Sequence, residues 1–158
     1  MKLLEIKDLE VQYVTQDSIV NAVNSISLDI ESGETLGLVG ETGAGKTTVA
    51  RAILRLIPSP PGKISSGEIY FEGENLLQKT DADMRKIRGK DISMIFQDPM
   101  TSLNPVMGVA DQIAEVIRIH EKISKKECHL KALEMLEMVG IPADRGDEYP
   151  HQFSGGMK

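Results

Sequence analysis

A single cysteine, Cys128, is all the thiol chemistry this sequence offers. It cannot form an internal bridge, so no disulfide framework holds the fold, which fits a reducing compartment. Long apolar runs are missing too. No stretch reaches the roughly 18 uninterrupted apolar residues that a membrane-spanning helix needs. The opening MKLLEIKDLEV carries charges where a signal peptide has an apolar core, so the expectation is a soluble, unexported chain. Basic side chains are outnumbered, 18 Lys and Arg against 24 Asp and Glu, for a net charge of -6. That balance repels a phosphate backbone and disfavours sequence-independent binding to nucleic acid. His120, His129 and His151 show no metal-ligand spacing with one another or with Cys128. Internal repeats, heptads and low-complexity tracts are absent as well. What is there is an ordinary globular composition, 41% hydrophobic and 27% charged over 158 residues, one domain's worth of chain with enough for a core.

The order of elements follows from periodicity. Leu4, Ile6, Leu9, Val11 and Tyr13 predict a strand over 3–13, with a bulge at the charged Lys7-Asp8 step. Val20 to Ile30 alternates again, and the turn Glu31-Ser32-Gly33-Glu34 precedes a short apolar run, Thr35 to Val39, read as a second strand. After it, Val49, Ala50, Ile53, Leu54 and Ile57 recur at helical spacing until Pro58. Ser66-Gly67 and Glu72-Gly73 punctuate a hairpin around EIYFEG, Thr80 to Gly89 reads as a short helix with Met84 and Ile87 on one face, and Asp91 to Phe96 as a strand. A helix is predicted over 106–120. Another follows over about 125–139, opened by the Ser124/Glu127 capping box and closed by Gly140 and Pro142. Cys128 falls on its apolar stripe with Ala132, Met135, Leu136 and Val139, so it reads as core. The sum is an α/β core with an antiparallel β insert and a helical arm.

The chemistry concentrates in one loop. Gly40-Glu41-Thr42-Gly43-Ala44-Gly45-Lys46-Thr47 fits G-x-x-x-x-G-K-[ST] between a predicted buried strand and a helix, the context this motif requires. Without Cβ atoms, successive backbone N–H groups can curl around phosphate oxygens, and the helix that begins here, with Thr48 in its first turn, adds about half a positive charge. Lys46 can then reach the β- and γ-phosphates, and the Thr47 hydroxyl can sit on Mg²⁺. The motif alone leaves GTPases, nucleotide kinases, helicases and transport ATPases open. A GTPase would need an N-K-x-D base-reading motif, which this sequence lacks.

The tail narrows the choice. His151-Gln152-Phe153-Ser154-Gly155-Gly156-Met157-Lys158 resembles the LSGGQ signature of ATP-binding cassette (ABC) ATPases, and Ile95-Phe96-Gln97-Asp98-Pro99 resembles the strand-end glutamine that lies between P-loop and signature in that family. FQDPMTSLNP with YPHQFSGGMK is similar to the ATPase subunits of dipeptide, oligopeptide and nickel importers, a subfamily with methionine in the signature's last place. The resemblance covers the whole chain. It implies a P-loop NTPase with a RecA-like core, incomplete here, plus an antiparallel β subdomain and a helical subdomain. Residues 1–96 would hold the β subdomain and P-loop core, and residues 97–158 the glutamine loop and helical subdomain up to the signature.

For the site, the resemblance implies ATP on Gly40 to Thr48 with Tyr13 stacked on adenine, Mg²⁺ held by Thr47 and Gln97, and Gln97 sensing water and metal. Ser154, Gly155, Gly156 and Met157 would meet a γ-phosphate from a second subunit, although Met157 cannot offer the amide hydrogen bonds of glutamine. Tyr13 keeps a second reading as packing at a strand end, Gln97 as a strand stop, and the signature as a helix N-cap. The family's downstream Asp-Glu and loop histidine would follow Lys158. The fragment is therefore expected to bind nucleotide without hydrolysing it. The parent is expected to be a cytoplasmic importer ATPase on the inner membrane face, paired as a homo- or heterodimer, contacting integral permease subunits directly and a substrate-binding protein indirectly. Peptide cargo is the first reading and nickel the alternative. A non-transport ABC ATPase would need a coiled coil between Gln97 and Ser154, and only 57 positions without heptads separate them.

Overall fold

The structure, a computed structural model, describes residues 2–96 and 102–157. They fall into two compact units, residues 1–88 and residues 89–158.

The first unit is built on a four-stranded antiparallel sheet in the order β2-β1-β3-β4, with β1 at Lys2–Val14, β2 at Ile19–Glu31, β3 at Gly62–Phe71 and β4 at Glu74–Asn75. Alternation puts Leu4, Ile6, Leu9 and Val11 of β1 and Ile69 of β3 in the core. The predicted bulge is present. Asp8 takes φ 47, and the β1–β2 register steps from Ile6↔Leu28 to Leu9↔Ile26. The Asp8 N–H donates to Ser27 Oγ at 2.9 Å, so the bulged amide is not left unpaired. Ser66-Gly67 is not a turn, as alternation suggested, but part of this device. Asp8 and Leu9 lie opposite Gly67 between the pairs Lys7↔Glu68 and Glu10↔Ser66. A Cβ on Gly67 would stand 2.5 Å from the Leu9 Cα, so only glycine lets the two backbones approach. The real reversal is Glu72-Gly73, both at positive φ, which turns β3 into β4.

Helix α1 spans Lys46–Ile53, four residues short of the periodic pattern. Arg55 adopts φ 50. Its N–H donates to the Ala52 carbonyl and that of Leu56 to the Arg51 carbonyl, the two bonds of a Schellman stop. Arginine in this glycine-favouring conformation is held by partners far along the chain. Its guanidinium donates to the Lys79 carbonyl and pairs with Asp81, while Arg88 Nε donates to the Leu54 carbonyl at 2.8 Å. Helix α2, Asp81–Ile87, buries Met84 and Ile87 as expected and is capped by Thr80.

Two expected strands do not form. Among the described residues, 35–39 carry no strand pairing and 91–96 only an isolated bridge at Ile92, whose carbonyl accepts from the Gly89 N–H at 2.9 Å. An apolar run becomes a strand only when another strand satisfies its backbone, and here Val39 and Ile95 stand 93% and 99% exposed.

The second unit packs α3, Val109–His120, against α4, Lys125–Met138. Small residues face each other at the contact, Ala110 and Ala114 from α3 with Cys128 and Ala132 from α4, joined by Ile117, Leu136, Ile141 and Phe153. Cys128 is core, but Met135 and Val139 are exposed; the buried stripe keeps only every fourth residue. Before α3, Val106 is exposed, and the Gln112 amide closes a turn by donating to the Asn104 and Met107 carbonyls, which delays the helix to Val109. Helix α4 has its full capping box. Its far end is another Schellman stop, with the Gly140 N–H donating to Glu137 and that of Ile141 to Leu136.

The box makes a pH-dependent prediction. Hydrogen bonds from the Ser124 hydroxyl and backbone hold the Glu127 carboxyl below the usual carboxylate range. A lowered folded-state pKa stabilises fully above the unfolded value and is lost as pH falls through the folded one. Ser124→Ala should cost about 1 kcal/mol at neutral pH, as N-cap losses do, and that difference should shrink as pH falls below the ordinary glutamate range and through the lowered folded-state pKa. Denaturant unfolding followed by circular dichroism checks it; a difference that persists in acid would show that Glu127 takes no part.

Candidate functional site

The glycine loop is shaped by its seat on β2. Gly45 caps α1 at φ 83 and offers no side chain to the helix start. A Cβ there would lie 2.2 Å from the Ala22 carbonyl oxygen and 3.5 Å from Val23 Cγ2, so glycine alone allows this approach. Gly43 is also left-handed, at φ 86, and the Ala44 N–H donates to the Glu41 carbonyl at 3.1 Å, which closes the turn. Lys46 folds back over the loop. Its ammonium donates to the carbonyls of Gly40 and Glu41 at 2.6 and 2.7 Å.

Helix α1 begins without an acidic residue in its first turn and without a side-chain cap. Its leading N–H groups therefore keep their partial positive charge for an external acceptor. Thr47 is exposed, and Lys46 and Thr48 are half-buried. Beside the loop is a cavity of about 280 Å³ lined by Ala22, Val23, Leu38, Ala44, Lys46 and Val49. A cradle of backbone donors, an ammonium held among the described residues by two carbonyls, and an exposed hydroxyl at the helix start together suit a polyanion and the hard cation that accompanies it.

Tyr13 lies in the same unit. It pairs with Val20 of β2 and Gly62 of β3, two residues beyond Val11, whose partner Val23 touches the Gly45 seat. The sheet end that carries Tyr13 is thus the end that supports the loop. The ring is half-buried, with Cε1 3.1 Å from where a Gly62 Cβ would stand. Val14, Ile19 and Val20 form an exposed apolar margin on the same strands.

Gln97 lies outside the described residues. Ser154 to Met157 belong to the second unit. Ser154, Gly155 and Gly156 are exposed and Met157 is half-buried, in a 3-10 turn closed by the Met157 N–H donating to the Ser154 carbonyl at 3.0 Å. Phe153 anchors the segment, 5% exposed in the helical core. Three residues escaped the sequence reading. Ala22 and Val23 lie in an unremarkable strand, and Arg145, which contacts Gln152 and Met157 on either side of the Ser154 segment, stands nine residues before Ser154 with no motif around it. None leaves a local signal.

Residues 23–158 match the family model described as ABC transporter. Among similar proteins, the oligopeptide transport ATP-binding protein OppD of Bacillus subtilis (strain 168) is 50% identical over 159 residues, 99% of this chain and 44% of its own length. The dipeptide transport ATP-binding protein DppD of the same organism is 46% identical, over 99% of this chain and 48% of its own length. The chain thus spans about half the length of these relatives. Among solved structures, the dimeric structure of MJ0796, a bacterial ABC transporter cassette, superposes with a TM-score of 0.82 at 26% identity, covering 98% of this chain and 64% of that one. The fold is that of these cassettes.

The Gly45 seat is directly testable. Gly45→Ala adds strain at a positive φ and a collision with the Ala22 carbonyl, and should cost about 1–3 kcal/mol. Denaturant unfolding measures it; a variant as stable as the parent would show that the loop does not rest on β2.

Proposed function

Because the chain belongs to the ABC transporter family, we propose that it is the nucleotide-gripping part of an importer ATPase whose intact subunit couples ATP binding and hydrolysis to peptide uptake. One observation carries the reading: the Lys46 ammonium, whose partners among the described residues are the Gly40 and Glu41 carbonyls, stands over a glycine loop at an uncapped helix start. Phosphate oxygens are stronger acceptors than peptide carbonyls. Lys46 exchanges its two carbonyl partners for them, while the N–H groups of Gly43 and of Gly45 to Thr48 bind the remaining oxygens. The Thr47 hydroxyl, exposed in the first turn, would hold Mg²⁺ with Gln97, and that ion would offset phosphate charge. Tyr13 offers its ring to adenine beside the apolar margin of Val14, Ile19 and Val20.

Ser154, Gly155 and Gly156 reach outward with no phosphate site of their own, so they serve the nucleotide of a second subunit, a homo- or heterodimeric partner. Integral permease subunits receive the motion, and a substrate-binding protein delivers cargo. A subunit with these partners would sit on the inner membrane face. Among the described residues no helix is long and apolar enough to cross a membrane, consistent with a peripheral subunit. Peptide cargo is supported by the relatives, which are oligopeptide and dipeptide transport ATP-binding proteins.

In a subunit of the relatives' full length, Lys46→Ala should weaken ATP by about 1.5–3 kcal/mol; unchanged affinity by calorimetry would remove the loop from the site. Tyr13→Ala should weaken ADP and ATP alike by about 1 kcal/mol, as loss of stacking implies. If ATP alone weakens, the ring is not under the base. Ser154→Arg should leave ATP binding to a lone subunit intact and abolish ATP-dependent dimerisation, read by light scattering.

A further inference from the structure

We propose that Arg145 is a positioning residue that clasps the signature segment from both sides and sets the placement of Ser154. The inference rests on the reading of Ser154 to Gly156 as the contact to a partner subunit's nucleotide. The guanidinium touches the segment before and after those residues. Its Nη2 donates to the Gln152 carbonyl at 3.1 Å, its plane lies 4.7 Å from the Phe153 ring centroid, and its Nη1 reaches the Met157 sulfur at 3.3 Å. Between these points Ser154, Gly155 and Gly156 stand exposed, and a Cβ on either glycine would meet nothing within 4 Å. The segment has no other side-chain brace among the described residues that spans it.

The clasp itself is fixed. Nε and Nη2 both donate to Glu148 Oε2, at 3.0 and 2.6 Å, and this carboxylate raises the arginine pKa further while its own is lowered. The turn beneath is tied to α3, because the Val109 N–H donates to the Glu148 carbonyl at 3.0 Å and the Ala110 N–H to the Gly146 carbonyl at 2.8 Å. Gly146 is buried against Leu133 of α4, where a Cβ would collide at 2.3 Å. Movement of the helix pair is therefore passed through Arg145 to Ser154 rather than lost in a mobile loop.

The clasp also accounts for Met157. Its thioether turns toward its own subunit and meets the arginine, packed against the helical core. Methionine is thus part of the brace rather than a weakened ligand.

The test measures ATP-analogue-dependent dimerisation of the full-length subunit by light scattering, using a non-hydrolysable ATP analogue, alongside calorimetry and melting temperature. Arg145→Ala should raise the protein concentration for half-maximal dimerisation about tenfold, reflecting a lost cation–π contact and hydrogen bonds, with analogue affinity of the lone subunit within about twofold. Arg145→Lys keeps the charge but cannot span Glu148, Gln152 and Met157 together, so it should restore the melting temperature without restoring dimerisation. Wild-type dimerisation by both variants, while Ser154→Arg is blocked, would overturn the role of Arg145 alone. A parallel loss of lone-subunit affinity in the folded Arg145→Lys protein would also overturn it. Dimerisation by Ser154→Arg would instead overturn the reading of the signature, and the proposal with it.

Discussion

The approach of Gly45 to the Ala22 carbonyl is the contact on which the glycine loop depends. A helix that starts directly against a strand needs backbone to meet backbone, and here even one added carbon would stand 2.2 Å from that oxygen. The consequences run outward from this seat. With Gly45 and Gly43 both at positive φ, the chain curls back far enough for Lys46 to reach carbonyls five and six residues earlier. The helix start is left without a side-chain cap. In most helices that would be a deficiency, since orphan N–H groups cost stability. Here it leaves donors free for an anion.

What was legible in the sequence was local. The Lys7-Asp8 break announces a bulge because two charged residues interrupt an apolar alternation, although Ser27 and Gly67 on the neighbouring strands complete it. Ser124 and Glu127 announce the start of α4, and Gly140 its end, because caps are settled within one helical turn. The glycine loop and the signature were legible for the same reason. Each is a run of neighbouring residues whose spacing carries its chemistry.

What was not legible depended on distant partners. The periodicity of α1 continues to Ile57, yet the helix stops at Ile53. The stop requires Arg55 in a left-handed conformation, and that is tolerable only because Lys79, Asp81 and Arg88, more than 20 residues away, satisfy the groups it exposes. Apolar runs at 35–39 and 91–96 look like strands, but strand character belongs to a pair of segments and not to one. Arg145 was missed likewise. Its role is a set of contacts at separations of three to twelve residues along the chain, with no repeat or fixed offset that a scan would recognise.

The charge balance looks at first like an argument against a phosphate ligand, since the chain carries a net -6. Range resolves it. At physiological ionic strength charges more than about 8 Å apart are largely screened, so most of the 24 acidic groups are felt weakly at any one point. Among residues 40–48 the formal charge besides Lys46 is Glu41, which is exposed and contributes its carbonyl, not its carboxylate, to the lysine contact. Local donors therefore outweigh the distant net charge for a ligand that is already in place. The same net charge still opposes approach from bulk solvent, and it opposes an extended polyanion such as DNA far more, because that ligand would lie across many acidic groups at once. A short, terminal polyphosphate is the anion this distribution favours.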